Sequence, residues 1–448
     1  MAVALGVGGF ALSLAPRGAL GPPWVLVALA AGAFVWVLYS PLDAKRDDLL
    51  PALAVLVSAL GLATIARVSS DLAHKQEVWL AISLALVIVA SPAFTAFRRF
   101  AAYKYIWVLG SIVLFLLVAL FGQEVNGAKL WIRIGPVQYE PVELIKLFIV
   151  LFMAGYLAET SDVIAAARPW SVRANLKYLG PLFLGWATSM AILVFERDIG
   201  MASLLLATFA AMLYIATRRI DLIVGGAALF GVAVWFAVKH YPYVIARFAV
   251  WHDPFADPLG RGYQALQGLF SLAAGGLFGT GYGLGHPGYI PAVGTDYIFA
   301  AWSEEFGALG GIVLVGAFLL VLVRALHVAQ AQPDLYAKLL GTGLAATLGF
   351  QVFIIVGGVL GLFPLTGITL PFFSYGGSSL VANFLLVALV WAIGSERAPT
   401  KRIRAADLSE GLGSAQSVID SASENRAGGG TPAPGKRDGF GEPRSSRA

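Results

Sequence analysis

The 448-residue chain has no cysteine, five histidines, five methionines and only 13% charged residues. Without cysteine there is no disulfide, no thiolate nucleophile and no Cys-ligated metal, although the compartment stays open. So little charge, set against 58% hydrophobic residues, excludes a soluble globular domain. The net charge of +5 is small. Its basic residues lie in short loops and the tail, which suits membrane topology and contact with anionic membrane lipids, with no nucleic acid as partner. Solenoid-type repeats and an inverted-repeat pattern are also lacking.

What is present is a series of long apolar runs. Lipid offers no hydrogen-bond partners, so each run is expected to be a helix, and the fold class is an all-α polytopic membrane protein. Ten segments read as helices: 51–67, 77–94, 105–121, 141–158, 179–195, 200–217, 222–239, 300–323, 338–360 and 371–393. An eleventh, Trp24–Ser40, precedes them. Met1–Ala15 is apolar but short of the roughly 20 residues a span needs, so it completes a hairpin or lies at the interface. It lacks a basic n-region and does not read as a cleaved signal. Residues 1–50 therefore read as one or two additional N-terminal membrane segments and 51–397 as the main domain. The Ser-, Gly- and Pro-rich stretch 398–448 reads as a disordered tail.

Positive residues set the orientation. Lys45 and Arg46, then Arg98, Arg99 and Lys104, then Arg168, Arg173 and Lys177 fall on alternate loops. Arg218 and Arg219, Arg324 and Lys338, and the tail fall on that same side, which is expected to be cytoplasmic. The loops Gly122–Glu140 and His240 to about Phe299 then face outward, and so does Asp296.

Several constellations in the outward loops could carry chemistry. Asn126-Gly127 favours a turn, and Trp131 suits a membrane interface. Lys129 and Arg133 bracket that tryptophan and are placed to hold a phosphate. At the next helix entry, Glu143 and Lys146 are spaced i, i+3 on one face. They either neutralise each other for packing or organise a site; a lone mid-bilayer charge costs about 2.5–3.5 kcal/mol. Asp198 reads as a helix cap or as part of a cavity rim. The long loop holds Arg247, His252, Asp253, Asp257 and Arg261, with no diagnostic metal spacing. Tyr263–Leu272, with Gln264 and Gln267, is amphipathic and suits the outer leaflet.

A Gly-rich run, Gly275-Gly276-Leu277-Phe278-Gly279-Thr280-Gly281, leads toward Thr295-Asp296 at the mouth of an apolar segment. Thr295 reads as a helix N-cap. Asp296 is then either a favourable helix-start acid or an ionised group able to coordinate a metal or accept a proton. Glu304 and Glu305 lie roughly 12–13 Å along the helix axis from Asp296. As buried acids they need partners, and Lys146 is a candidate by topology. Pro371–Ser379, including Ser378, reads as close helix packing through small residues.

Taken in order, these motifs resemble the SEDS family of RodA, FtsW and SpoVE type. The resemblance runs from about Pro51 to Ile393. It rests on Asn126-Gly127-Ala128 with Trp131, Pro141–Lys146, Asp198-Ile199-Gly200, Gly262-Tyr263-Gln264 with Gln267, Gly275–Gly281, Thr295–Ala300 with Glu304-Glu305, and Pro371–Ser379. Departures are Glu140-Pro141-Val142-Glu143 where Gln-Pro-Ser-Glu is common, Gly294 where a histidine often precedes Thr-Asp, and Glu196-Arg197 before Asp198.

The resemblance implies a ten-helix core and a peptidoglycan glycosyltransferase of the bacterial cytoplasmic membrane. Such an enzyme polymerises lipid II outside the membrane beside a class B penicillin-binding protein. It implies Asp296 as the essential acidic residue that deprotonates the acceptor sugar hydroxyl, and Trp131 as a functionally sensitive, substrate-binding position. Lys129, Arg133, Lys146 and Arg247 are implied to counter pyrophosphate charge, with a divalent cation, Mg2+ or Mn2+, and no organic cofactor. A lipid II flippase and a non-catalytic scaffold remain as alternatives. The roles in elongation, division and sporulation are not distinguished.

Overall fold

The computed structural model describes residues 49–125, 128–135, 137–167, 172–191 and 198–395. The segments Met1–Ala15 and Trp24–Ser40, the Asn126-Gly127 turn, Glu196-Arg197 and the tail lie outside the described residues. Each of the ten apolar segments from residue 51 onward holds a helix among the described residues, with 192–195 of the fifth lying outside them. These are α1 (Leu49–Val68), α2 (Ser70–Phe94), α3 (Lys104–Phe121), α4 (Val142–Ala166), α5 (Val172–Ala191), α6 (Ile199–Thr217), α7 (Ile220–His240), α10 (Ile298–Gln330), α11 (Leu335–Val359) and α12 (Gly377–Ser395). Two shorter helices, α8 (Pro242–His252) and α9 (Tyr263–Gly275), lie between α7 and α10. Among the described residues, eight helices are long and apolar enough to cross a membrane.

Helix starts follow local chemistry. Asp198 caps α6 by accepting from Met201 N at 2.9 Å, and Asp334 caps α11 by accepting from Ala337 N at 3.1 Å. The last helix starts at Gly377 rather than near Pro371, because residues 370–375 form turns with Phe372 at φ 63°. The core lies where α4, α11 and α12 meet, with α1 and α10 packed around them. In contrast, α7 presents nearly its whole surface outward, as a lipid-facing helix does.

The Gly122–Glu140 loop holds an antiparallel three-stranded sheet in the order β1 (Gln123–Val125), β2 (Ala128–Ile134), β3 (Val137–Tyr139). Sequence reasoning expected a turn with an aromatic anchor here. These strands are short and satisfy one another's backbone groups, as a loop at a membrane surface requires. The sheet meets the bundle where Glu140 N donates to Ser378 Oγ at 2.9 Å, at the same end as Asp296.

Candidate active site

Asp296 sits in a turn just before α10. Thr295 N and Asp296 N both donate to Ala292 O at 3.2 Å, with Ala292 at φ 52°. The turn is tied to the 370–375 segment, since Ser374 Oγ donates to Thr295 O at 2.6 Å and Tyr375 N to Gly294 O at 2.8 Å. The expected Thr295 cap does not form: its hydroxyl donates to Ala292 O at 3.0 Å, and α10 begins without a side-chain cap. The turn is held from outside the helix, so no cap is needed to place Asp296.

Beside Asp296 lies a cavity of about 490 Å³ whose lining includes Arg247, Trp251, Arg261, Gln264, Asp296 and Gly367. Arg247 reaches in from α8, its Nη1 donating to Thr366 O at 2.6 Å and Leu365 O at 3.3 Å. A Cβ at Gly367 would lie 3.6 Å from Arg247 Nη2 and 3.8 Å from Asp296 Oδ2, so this glycine keeps open the space between cation and acid. Gln264 donates to Pro291 O at 2.8 Å and pins α9 to the loop before Asp296. Trp251 donates to Gly361 O at 2.9 Å and fixes the far wall.

Burial pushes the Asp296 carboxyl above the ordinary aspartate range; the Thr295 hydroxyl and the Arg247 charge oppose this, while Asp198 adds to it. Asp198, at the mouth of α6, is likewise raised by burial and lowered by its bonds to backbone and by Arg247. Arg247 therefore acts on both acids. A carboxylate whose pKa is raised is a better proton acceptor than an ordinary aspartate.

The predicted residues separate into groups. Asp296, Arg247 and Gln264 share the cavity, with Asp198 close enough to act electrostatically. Lys129, Trp131 and Arg133 lie at alternate positions of β2, and Trp131 and Arg133 are not among the residues lining the cavity. Arg133 is exposed and donates to Gly135 O at 3.2 Å.

Lys146 is fully buried on α4, 2.5 Å from Glu143 and 3.0 Å from both Gln351 Oε1 and Asn383 Oδ1. It is thus the partner of Glu143 and not of Glu304 or Glu305, correcting the topological expectation. Breaking such a buried pair leaves an uncompensated charge, which costs about 3–5 kcal/mol. Glu304 instead accepts from Ser271 Oγ at 2.9 Å and His286 N at 2.8 Å, and Glu305 pairs with Arg67 at 3.1 Å. Ser378 meets the entry to α4 through Glu140 N rather than serving helix packing alone.

Sequence reasoning placed Arg261 in the long loop without a role and assigned none to Trp251 or Gly367. Only the basic charge of Arg261 could have flagged it; nothing local in the sequence marks the other two.

The fold and this polar cavity at one end of an apolar helical bundle define a multi-pass membrane protein. The model of the cell cycle protein family of FtsW, RodA and SpoVE matches residues 48–398, and the chain belongs to that family. It is 36% identical over 391 residues, 83% of each chain, to the peptidoglycan glycosyltransferase RodA of Mycobacterium tuberculosis (strain ATCC 25618 / H37Rv). It is 30% identical over 383 residues to the probable peptidoglycan glycosyltransferase FtsW of Halothiobacillus neapolitanus, covering 82% of this chain and 90% of the relative. The structure is similar to a chain of a peptidoglycan synthase complex solved for its coordination of polymerization and crosslinking (TM-score 0.65, 29% identity, 80% of this chain and 100% of that chain). It is also similar to the crystal structure of the rod shape determining protein RodA of Thermus thermophilus (TM-score 0.58, 29% identity, 80% and 99%).

Proposed function

We propose that this chain is a peptidoglycan glycosyltransferase that extends glycan strands from lipid II at the outer face of the bacterial cytoplasmic membrane. The observation that carries the reading is the convergence of Asp296 and Arg247 over Gly367 in an open cavity at one end of the bundle. Asp296 takes the proton of the acceptor sugar hydroxyl. That oxygen then bonds to the anomeric carbon of the donor strand, and the bond to undecaprenyl pyrophosphate breaks. Arg247 and Arg261 face the cavity as cations for the leaving pyrophosphate. Lys129, Trp131 and Arg133 on β2 supply a second candidate contact for the lipid-linked substrate at the same end of the bundle.

Asp296 is a hard oxygen donor facing an open cavity, and no group of three or more metal-ligating side chains occurs among the described residues. That donor set fits Mg2+ or Mn2+ held by one carboxylate together with substrate phosphates and water. When bound, the ion would neutralise charge on the pyrophosphate. Partners by this reading are lipid II, a class B penicillin-binding protein and membrane lipids, with the C-terminal tail in the cytoplasm.

The test is lipid II polymerisation by the purified protein with its class B partner, comparing wild type with Asp296→Asn. Ladders from wild type and none from a folded, partner-binding variant are expected. Equal ladders from both would remove Asp296 as catalyst. Lipid II crossing liposome bilayers without any ladder would favour a transporter.

A further inference from the structure

The first turns of α10 are not part of its long span. Gly307 has φ 71° and ψ −174°, which breaks the helix into a short half, 298–306, and a longer one from 308 to 330. The longer half, at 1.5 Å per residue, is about 34 Å and can cross a hydrocarbon core by itself. The Gly-rich run closes the break: Thr280 N and Gly281 N donate to Glu304 O and Glu305 O at 2.9 and 3.0 Å, and Ala308 N donates to Gly276 O at 2.9 Å. The short half therefore takes its direction from what holds its two ends.

One end carries Asp296 and the other carries Glu305. Arg67, in the last turn of α1, donates from Nε to Glu305 Oε1 at 3.1 Å and from Nη2 to Gly283 O at 2.9 Å and Gly285 O at 3.0 Å. Glu305 is almost wholly buried and Arg67 about a quarter exposed. A planar guanidinium is the side chain that can grip a carboxylate and two carbonyls at once. Nothing in the catalytic reading uses Arg67, which lies outside the cavity lining.

We infer that Arg67 is a positioning residue for Asp296: by clamping Glu305 and the 283–285 loop to α1, it sets the tilt of the short half-helix and so the approach of Asp296 to Arg247. The inference rests on the glycosyltransferase reading for its activity arm. With the clamp released, the break at Gly307 lets the half-helix swing without disturbing the span. Asp296 then shifts from its place beside Arg247 across Gly367, while Asp198 at the mouth of α6 and Arg261 in the cavity wall stay in place.

The test uses the full chain in nanodiscs with its class B partner, and the variants Arg67→Ala, Arg67→Lys, Glu305→Gln and the reversed pair Arg67→Glu/Glu305→Arg. For Arg67→Ala we expect a kcat, per folded and partner-bound molecule, about tenfold lower with KM nearly unchanged. Faster amide exchange should be confined to residues 276–306. Arg67→Lys should fall between Ala and wild type, because a single ammonium nitrogen cannot span the acceptors that Nε and Nη2 reach from separate positions on the planar guanidinium, and the reversed pair should regain part of kcat. Lost stability alone would lower the folded fraction and leave kcat per folded molecule unchanged.

Normal kcat and unchanged amide exchange in Arg67→Ala, with Asp296→Asn inactive, would overturn the clamp and leave the catalytic reading intact. Faster exchange with an unchanged kcat per folded molecule would also overturn it, making the contact purely structural. Should Arg67→Ala not fold, Glu305→Gln and Arg67→Lys carry the same judgement. Equal polymerisation by Asp296→Asn would instead defeat the catalytic reading, and with it the positioning role.

Discussion

Asp296 and Asp198 are both held above the ordinary aspartate range by burial, and Arg247 pulls both back. For a base that must be ionised, a raised value shifts the acid side of the activity profile toward neutral. Removing the nearby positive charge in Arg247→Gln should shift that limb further up, while Asp198→Asn, which removes a negative neighbour, should shift it down. A pH series of kcat/KM for the two variants checks both signs; shifts in the same direction would contradict the arrangement. At this scale the sequence was informative about residue type. An acid at a helix mouth, a cap at Asp198 and a same-face pair at Glu143 and Lys146 are all local patterns within four residues. The partners were another matter, because Lys146 finds Gln351 and Asn383 at 205 and 237 residues' separation.

The Gly-rich run is explained by an element, the broken helix α10. A Cβ on Gly279 would lie 2.1 Å from Glu305 O, and this residue also has φ 85°. A Cβ on Gly276 would meet nothing within 4 Å, although its φ of 51° still disfavours an L side chain. With ψ at −140°, Gly276 lies in a sparsely populated backbone region that costs a non-glycine residue about 1–3 kcal/mol. Gly276→Ala should therefore lose about that much stability. Gly279→Ala should lose more, because a backbone oxygen must also move. Thermal melts in detergent, read beside polymerisation rate, check the order; equal losses would mean that the loop does not pack against the break. The glycines were visible in the sequence, but they suggested flexibility near the chemistry. Their packing shows the opposite role, a tight seam that receives the free backbone groups of the kink.

Orientation belongs to the whole molecule. The alternation of basic loops predicts that the Asp296 end faces outward. The absence of native cysteine makes this simple to check. A membrane-impermeant maleimide applied to intact spheroplasts should label Gly288→Cys, which is exposed near the site. It should spare Gln330→Cys, exposed at the opposite end of α10, until the membrane is opened. Labelling of Gln330→Cys alone in intact spheroplasts would reverse the topology. The sequence by itself determined the helical class, the order of the apolar segments, the loop that bears Asp296 and the family resemblance. Those properties depend on hydropathy and on motifs read along the chain. Only the tertiary structure decided the break at Gly307, the sheet in the Gly122–Glu140 loop, the meeting of Arg247 with Asp296, and the pairing of Arg67 with Glu305. These depend on contacts between distant segments, 238 residues apart in the last case. Local periodicity carries no record of which distant charges a bundle will bring together when it excludes water.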